Sequence, residues 1–305
     1  MTVRIAIIGF GKIARDEHVP AIAGNPDCEL VAVVSGSGDP GIGVPWFKTP
    51  AELLDRMAGE VDAVAICTPP VPRYAIARAA LLSGFDVLLE KPPAATLGEV
   101  AHLLELAVEA ERTLYATWHS QHAAGVEQAE EALRGQEIAA LEINWREDVR
   151  KWHPGQQWIW APGGFGVFDP GINALSIATR ILPEPLFVRE ATLVVPENRQ
   201  SPIAARLDFG DGMSADFDWR YEQGEQWTIR IETKAGQRIE LRDGGARLLI
   251  DGAEQSVGPH GEYPSIYTEF ARLVGAEISA VDMEPLRIVA DAFMVGARET
   301  TEPFA

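Results

Sequence analysis

At 305 residues the chain is longer than one hydrophobic core usually serves, so two domains are expected. With 47% hydrophobic residues it is no disordered chain, and no apolar run reaches the roughly 18 residues of a membrane-spanning helix. A formal net charge of −19 argues against nucleic acid and anionic membranes as partners, since both require a basic footprint.

Val3 already belongs to the first predicted strand, which leaves no room for a signal peptide and makes a cytoplasmic protein the expectation. From residue 3 to about 120, short apolar runs alternate with amphipathic stretches, the pattern of a parallel sheet covered by helices. Strands are predicted at 3–8, 29–35, 63–67, 87–89 and 114–117. Capping boxes at Thr49-Pro50-Ala51-Glu52 and Thr96-Leu97-Gly98-Glu99 mark two helix starts. Cys28 and Cys67, the only cysteines, fall in or beside strands and read as reduced core residues.

The strand ends carry the chemistry. Gly9-Phe10-Gly11-Lys12-Ile13-Ala14 follows the first strand and opens a helical stretch, so a helix N-terminus can approach a pyrophosphate there. Gly9, Gly11, Lys12 and Ile13 are therefore candidate cofactor contacts. The second strand ends in Ser35-Gly36-Ser37-Gly38, with Asp39 only later. Neither the acid that grips NAD ribose hydroxyls nor an arginine that attracts the NADP phosphate stands there, so Ser35 and Ser37 can serve either form. Thr68-Pro69-Pro70 is a rigid loop expected against the nicotinamide half. Glu90-Lys91-Pro92 sets a fixed cation at the carboxyl end of the fourth strand, and Glu90 and Lys91 are candidate cofactor contacts.

After residue 120 the texture changes. A helix at 125–133 precedes long alternating runs at 138–149, 190–195, 203–209, 214–220, 227–233 and 238–241, and a closing helix is predicted at 286–298. Turns such as Asp211-Gly212 and Asp243-Gly244 point to a largely antiparallel sheet. The fold class is thus α/β: a doubly wound parallel sheet over 1–120, then an α+β domain over 121–305 with a large, mostly antiparallel open sheet. One face of that open sheet offers a surface for a homodimer.

Between Trp118 and Asn173 lie five of the eight tryptophans, with His119, His122 and His153. Beside Gly163-Gly164-Phe165-Gly166, such a cluster suits indole packing on sugar C–H faces. His119 and His122 lack carboxylates or thiols at ligand spacing, so no metal is expected. The two-residue period puts Leu141, Ile143, Trp145 and Glu147 on one face, and Glu147 reads as a carboxylate facing a site. Asp169 precedes Pro170 and reads either as a helix N-cap or as a substrate group sharing a helical side with Asn173.

The glycine fingerprint, Thr68-Pro69-Pro70, Glu90-Lys91-Pro92 and Asp169…Asn173 together resemble the glucose–fructose oxidoreductase/inositol dehydrogenase/MocA family. The resemblance covers essentially the whole chain. It implies a Rossmann dinucleotide-binding domain, NAD or NADP as cofactor, and a lysine contacting both substrate and nicotinamide, with Lys91–Pro92 a candidate cis bond. That family usually carries histidine where this chain has Asn173, whose amide takes no proton at neutral pH.

Four further runs look like the aldose 1-dehydrogenases of that family, which oxidise the anomeric hydroxyl of D-galactose, D-fucose or L-arabinose pyranose to a lactone. They are residues 10–16, 116–120 and 152–158 and Asp169-Pro170-Gly171-Ile172-Asn173. By that resemblance Glu147, His153, Asn173, His119, Trp152 and Trp227 line the sugar, and Lys91 and Asp169 are the catalytic pair, either being the proton acceptor. The alternatives are a polyol or inositol dehydrogenase, against which Asn173 argues, and a non-catalytic sugar sensor, which would need no proton acceptor.

Overall fold

A computed structural model describes residues 2–258 and 261–304. In chain order its strands are β1 (Val3–Ile8), β2 (Cys28–Val34), β3 (Trp46–Phe47), β4 (Ala63–Ile66), β5 (Asp86–Leu89) and β6 (Leu114–Ala116). There follow β7 (Ile138–Arg146), β8 (Glu190–Pro196), β9 (Ala204–Gly210), β10 (Met213–Asp218), β11 (Gln226–Thr233) and β12 (Arg238–Arg242). Three further strands complete the set, β13 (Arg247–Ile250), β14 (Ala253–Glu254) and β15 (Ala297–Thr301). The helices are α1 (Val19–Ala23), α2 (Pro50–Arg56), α3 (Pro70–Leu82), α4 (Leu97–Glu109), α5 (Val126–Leu133), α6 (Val149–Trp152), α7 (Phe168–Ile181), α8 (Glu262–Ala276) and α9 (Glu284–Val295). Two compact units emerge, one of residues 1–119 with 263–283 and one of 120–262 with 284–305.

The first unit holds a parallel sheet of order β3-β2-β1-β4-β5-β6. Both of its faces are buried, so its strands read as unbroken apolar runs. Ala6 and Ile8 pack with Leu53, Leu81 and Leu103 from α2, α3 and α4, while Ile5 and Ile7 pack with Ile22 of α1 and Tyr267 and Phe270 of α8. Helix α8 has no counterpart among the predicted elements. The strand order reverses between β1 and β4, and ligands of such sheets bind at that switch point, beyond the carboxyl ends of the strands.

The second unit is a nine-stranded sheet of order β14-β13-β12-β11-β7-β10-β9-β8-β15. All neighbours are antiparallel except β7 with β10 and β8 with β15. At the β9–β10 hairpin Asp211 and Gly212 have φ of 52° and 77°, the mirror-image turn expected of that pair. One sheet face, with Leu141, Ile143, Trp145 and Phe217 buried, is covered by α7 and α9; the other carries ion pairs such as Arg146–Asp216 and Arg230–Glu240.

Two predicted elements end differently. The run 138–149 stops as a strand at Arg146, because the Asp148 carboxylate accepts the Arg150 N–H at 2.9 Å and caps α6. The closing helix stops at Val295, and Arg298 lies in β15, whose exposed residues lack the alternation that would announce a strand. Among the described residues no helix is long and apolar enough to cross a membrane.

Candidate active site

The candidate residues fall into two groups, one in each unit. In the first unit Gly9 turns the chain out of β1 at φ +96°, and a Cβ there would lie 2.9 Å from the Thr68 backbone nitrogen. Only glycine allows this approach of the β1 turn to the β4 loop. A Cβ on Gly11 would meet nothing within 4 Å, and one on Gly36 nothing either, so space lies over both turns. Lys12 and Ile13 begin the following helical stretch on its exposed side, Lys12 paired with Asp16. Ser35 is buried with its hydroxyl 3.0 Å from that of Ser37, and its carbonyl accepts the Trp46 indole N–H at 3.0 Å. Thr68 Oγ1 is buried without a hydrogen-bond partner among the described residues, and Pro70 opens α3 after Pro69. Open space over glycine turns at the switch point and an unsatisfied hydroxyl beside it fit a dinucleotide, which Gly9–Ile13, Ser35, Ser37 and Thr68–Pro70 would hold.

Glu90 and Lys91 follow β5, and the Lys91–Pro92 bond is cis. The Glu90 side chain turns inward, 4% exposed. Its Oε1 accepts the Tyr263 hydroxyl at 2.8 Å and lies 3.1 Å from His18 Nε2, while Oε2 accepts the Lys91 backbone N–H at 2.8 Å. His18 Nδ1 lies 2.6 Å from the Tyr267 hydroxyl. Burial by itself would raise the Glu90 carboxyl, but the hydrogen bond and charge of His18, with His119 and Arg73, outweigh it and hold the group well below the usual carboxylate range. Burial likewise opposes charge on His18, and Cys67, Tyr267 and Glu90 outweigh it, holding the imidazole well above its ordinary value. The two shifts have opposite sense, and both favour the charged form of the pair. The buried Arg73 guanidinium donates to the carbonyls of Thr68, Glu90 and Pro92, tying the β4 and β5 loops together. His119 stacks on Tyr263 with ring centroids 5.7 Å apart.

In the second unit Glu147 continues the β7 face as its alternation predicts, 3% exposed. Its carboxylate accepts the Trp227 indole N–H at 2.9 Å and that of Trp219 at 3.3 Å. Trp227 stacks on Trp145 at 5.8 Å between centroids and meets Trp152 at 5.3 Å. Trp152 stays 44% exposed. Asp169 is buried in the first turn of α7 but does not cap it, because Val167 occupies the cap position without a side-chain bond. A carboxylate there is favoured by the helix dipole. His153 Nε2 stands 3.5 Å from Asp169 Oδ2. Asn173, one turn further along α7, is half-buried, and its carboxamide makes no hydrogen bond among the described residues. The loop before α7 is set by Gly164, where a Cβ would lie 2.0 Å from the Trp158 carbonyl oxygen.

The structure thus joins Glu147 to Trp227, Trp227 to Trp152, and His153 to Asp169. Trp118 stands apart as a core residue of the first unit, its indole donating to the Asp282 carbonyl at 3.0 Å. Sequence reasoning missed His18, Arg73, Tyr263 and Trp219. Only Trp219 carried a signal, the alternation along 214–220 that puts it on the face of Phe217. Among the described residues no group of His, Cys, Asp and Glu could hold a metal ion.

Comparison with known proteins gives the chain its relatives. A model of an oxidoreductase family with an NAD-binding Rossmann fold, GFO_IDH_MocA, matches residues 3–117. The galactose 1-dehydrogenase of Pseudomonas fluorescens is 46% identical over 306 residues, 99% of this chain and 98% of that protein. A D-galactose-1-dehydrogenase protein from Rhizobium etli superposes with a TM-score of 0.94 at 48% identity, covering 100% of this chain and 98% of that one. A 3-ketoreductase from Actinomadura kijaniata, solved with NADP and TDP-benzene, reaches 0.83 at 20% identity over 99% and 100% of the two chains, a likeness of fold alone.

Proposed function

The chain belongs to the GFO/IDH/MocA family of oxidoreductases, and on that premise we propose that it is an NAD(P)-dependent aldose 1-dehydrogenase acting on D-galactose and its C5 variants. The observation that carries this reading is the end-to-end likeness to the Pseudomonas galactose 1-dehydrogenase. The polar and aromatic group around Glu147, His153 and Asp169 supports it. Glu147 and Asn173 accept and donate hydrogen bonds to ring hydroxyls, and Trp152 and Trp227 offer indole faces to the sugar C–H groups.

Oxidation at C1 breaks the C1–H bond with its electron pair and the O1–H bond, and forms the lactone carbonyl. The bound nicotinamide supplies the hydride acceptor. We assign the O1 proton to Asp169, because His153, half-buried and 3.5 Å away, gives that proton a way out. Lys91 acts as the cation that favours charge developing on O1.

D-galactose, D-fucose and L-arabinose pyranoses share the configuration at C2, C3 and C4 and differ only at C5. A site that grips those hydroxyls turns over all three. D-glucose, inverted at C4, leaves one buried polar group unpaired and loses about 1–3 kcal/mol, roughly 5–150-fold in kcat/KM. The test is cofactor reduction followed by absorbance with a panel of aldoses. Equal kcat/KM on glucose and galactose would refute the assignment.

A further inference from the structure

The buried Glu90 is the strongest feature that the reaction itself leaves unexplained. A carboxylate next to the candidate catalytic lysine would be expected to face ligand, yet it points into the core of the first unit. The groups that face it come from several elements, His18 from the turn before α1, Arg73 from α3, His119, and Tyr263 from α8, while Cys67 after β4 and Tyr267 of α8 face His18 in turn. Three hydrogen bonds converge on its two oxygens, one of them from the Lys91 backbone N–H.

The residues before His18 explain how it gets there. Residues 14–18 form a widened π-type turn, and Pro20, which has no N–H to donate, is the second residue of the α1 that follows. Within this segment Ala14 and His18 are buried, while Arg15, Asp16 and Glu17 are exposed. Burying an imidazolium and a carboxylate costs desolvation that only good geometry and further hydrogen bonds repay. As a device for stability alone, such a pair is a poor exchange for packed apolar side chains. As a device for direction it is effective, because a carboxylate bonded on three sides holds the one backbone N–H it accepts in a single orientation.

We propose that Glu90, held by His18 and Tyr263, is a positioning residue for Lys91. It fixes the peptide from which the lysine side chain springs, while Arg73 fixes the carbonyls on either side. The proposal rests on the reading of Lys91 as a catalytic group. Glu90 does not touch substrate or cofactor in this role.

The test observes Lys91 directly. The lysines of the full chain, Lys12, Lys48, Lys91, Lys151 and Lys234, are converted to 13C-dimethyl-lysine and followed by NMR, with Lys91 assigned through Lys91→Arg. Tyr263→Phe removes one hydroxyl without a change of shape, and His18→Asn removes the imidazole that meets Glu90. In both, the Lys91 resonance moves while the other four stay. For galactose oxidation kcat falls about tenfold, a change of about 1.4 kcal/mol, with KM and cofactor Kd within about twofold. Glu90→Gln, which keeps an acceptor for the Lys91 N–H, retains more kcat than Glu90→Ala. An unmoved Lys91 resonance in both Tyr263→Phe and His18→Asn overturns the proposal, even where Tm falls. So does a cofactor Kd raised tenfold at unchanged kcat, which would make Glu90 a cofactor ligand. Moved resonances in both variants, together with a wild-type protein that oxidises no sugar, support the brace and sink the proposed reaction instead.

Discussion

Glu147→Gln separates a carboxylate held for structure from one held for substrate. Two indole N–H groups, of Trp219 and Trp227, end on this carboxylate at 3.3 and 2.9 Å, and Trp219 is fully buried. An indole N–H is only a donor, and a carboxamide has one oxygen where the carboxylate has two. The glutamine therefore satisfies one indole and turns its own NH2 toward the other. An unpaired buried donor costs about 1–3 kcal/mol, and exchanging a charged for a neutral acceptor at the surviving bond adds about 1 kcal/mol. The sum is about 2–4 kcal/mol. At about 2–4 °C per kcal/mol for a unit of this size, calorimetry should find Tm lowered by roughly 4–16 °C. Adding Trp227→Phe removes the stranded donor, so the double variant should be more stable than the sum of the two losses, with a coupling of about 0.5–3 kcal/mol. A Glu147→Gln protein melting within about 1 °C of wild type, with no coupling to Trp227→Phe, would refute this reasoning. In the same variant KM for D-galactose should rise while kcat is kept.

Three further outcomes are expected. Lys91→Ala and Asp169→Ala should each lower kcat by roughly 10²–10⁴, measured at saturating sugar, whereas Asn173→Ala should mainly raise KM; an Asp169→Ala enzyme with near-normal kcat would remove Asp169 as proton acceptor. Specificity constants for NAD and NADP should agree within about tenfold, because position 35 carries no acid to repel the 2′-phosphate and position 36 no arginine to bind it. Gly36→Arg, which enters open space, should shift the ratio toward NADP and Ser35→Asp toward NAD; a thousandfold wild-type preference would show another residue in control. The third concerns pH. The Glu90 value is depressed on folding, so its contribution is complete above an unfolded value of about 4.3 and is lost as pH falls through the folded one. The His18 value is raised, so its contribution is complete below about 6.5 and is lost as pH rises through the folded one. The Tm difference between wild type and His18→Asn should therefore be largest below about pH 6.5 and shrink in alkali; a difference that grows in alkali contradicts the ion pair.

Parts of both units were legible in the chain because their signals are local. A glycine forced to φ +96°, a strand ending at Glu90-Lys91-Pro92 and a two-residue alternation carrying Glu147 onto the face of Trp145 are each set within a few residues. Where neighbouring signals compete, periodicity alone misleads. Val149 prolongs the apolar alternation of β7, yet the cap made by Asp148 turns it into the start of α6. The Asp169-Pro170 pair has the look of a cap, yet the helix begins before it, and the carboxylate is left to meet His153.

What surrounds the two key carboxylates was decided only by tertiary structure. His18 reaches Glu90 across 72 residues, Tyr263 reaches it across 173, and Trp219 reaches Glu147 across 72. Such partners leave no period or spacing in the sequence, since each is brought in by strand order or by the return of α8 onto the first sheet. The sequence by itself determined which groups stand at the strand ends, because backbone sterics and alternation act between neighbours. Whether Glu90 faces a ligand or the core, and whether Glu147 spends its oxygens on indoles, depended on which distant donors the fold delivered to a buried charge that must be paired.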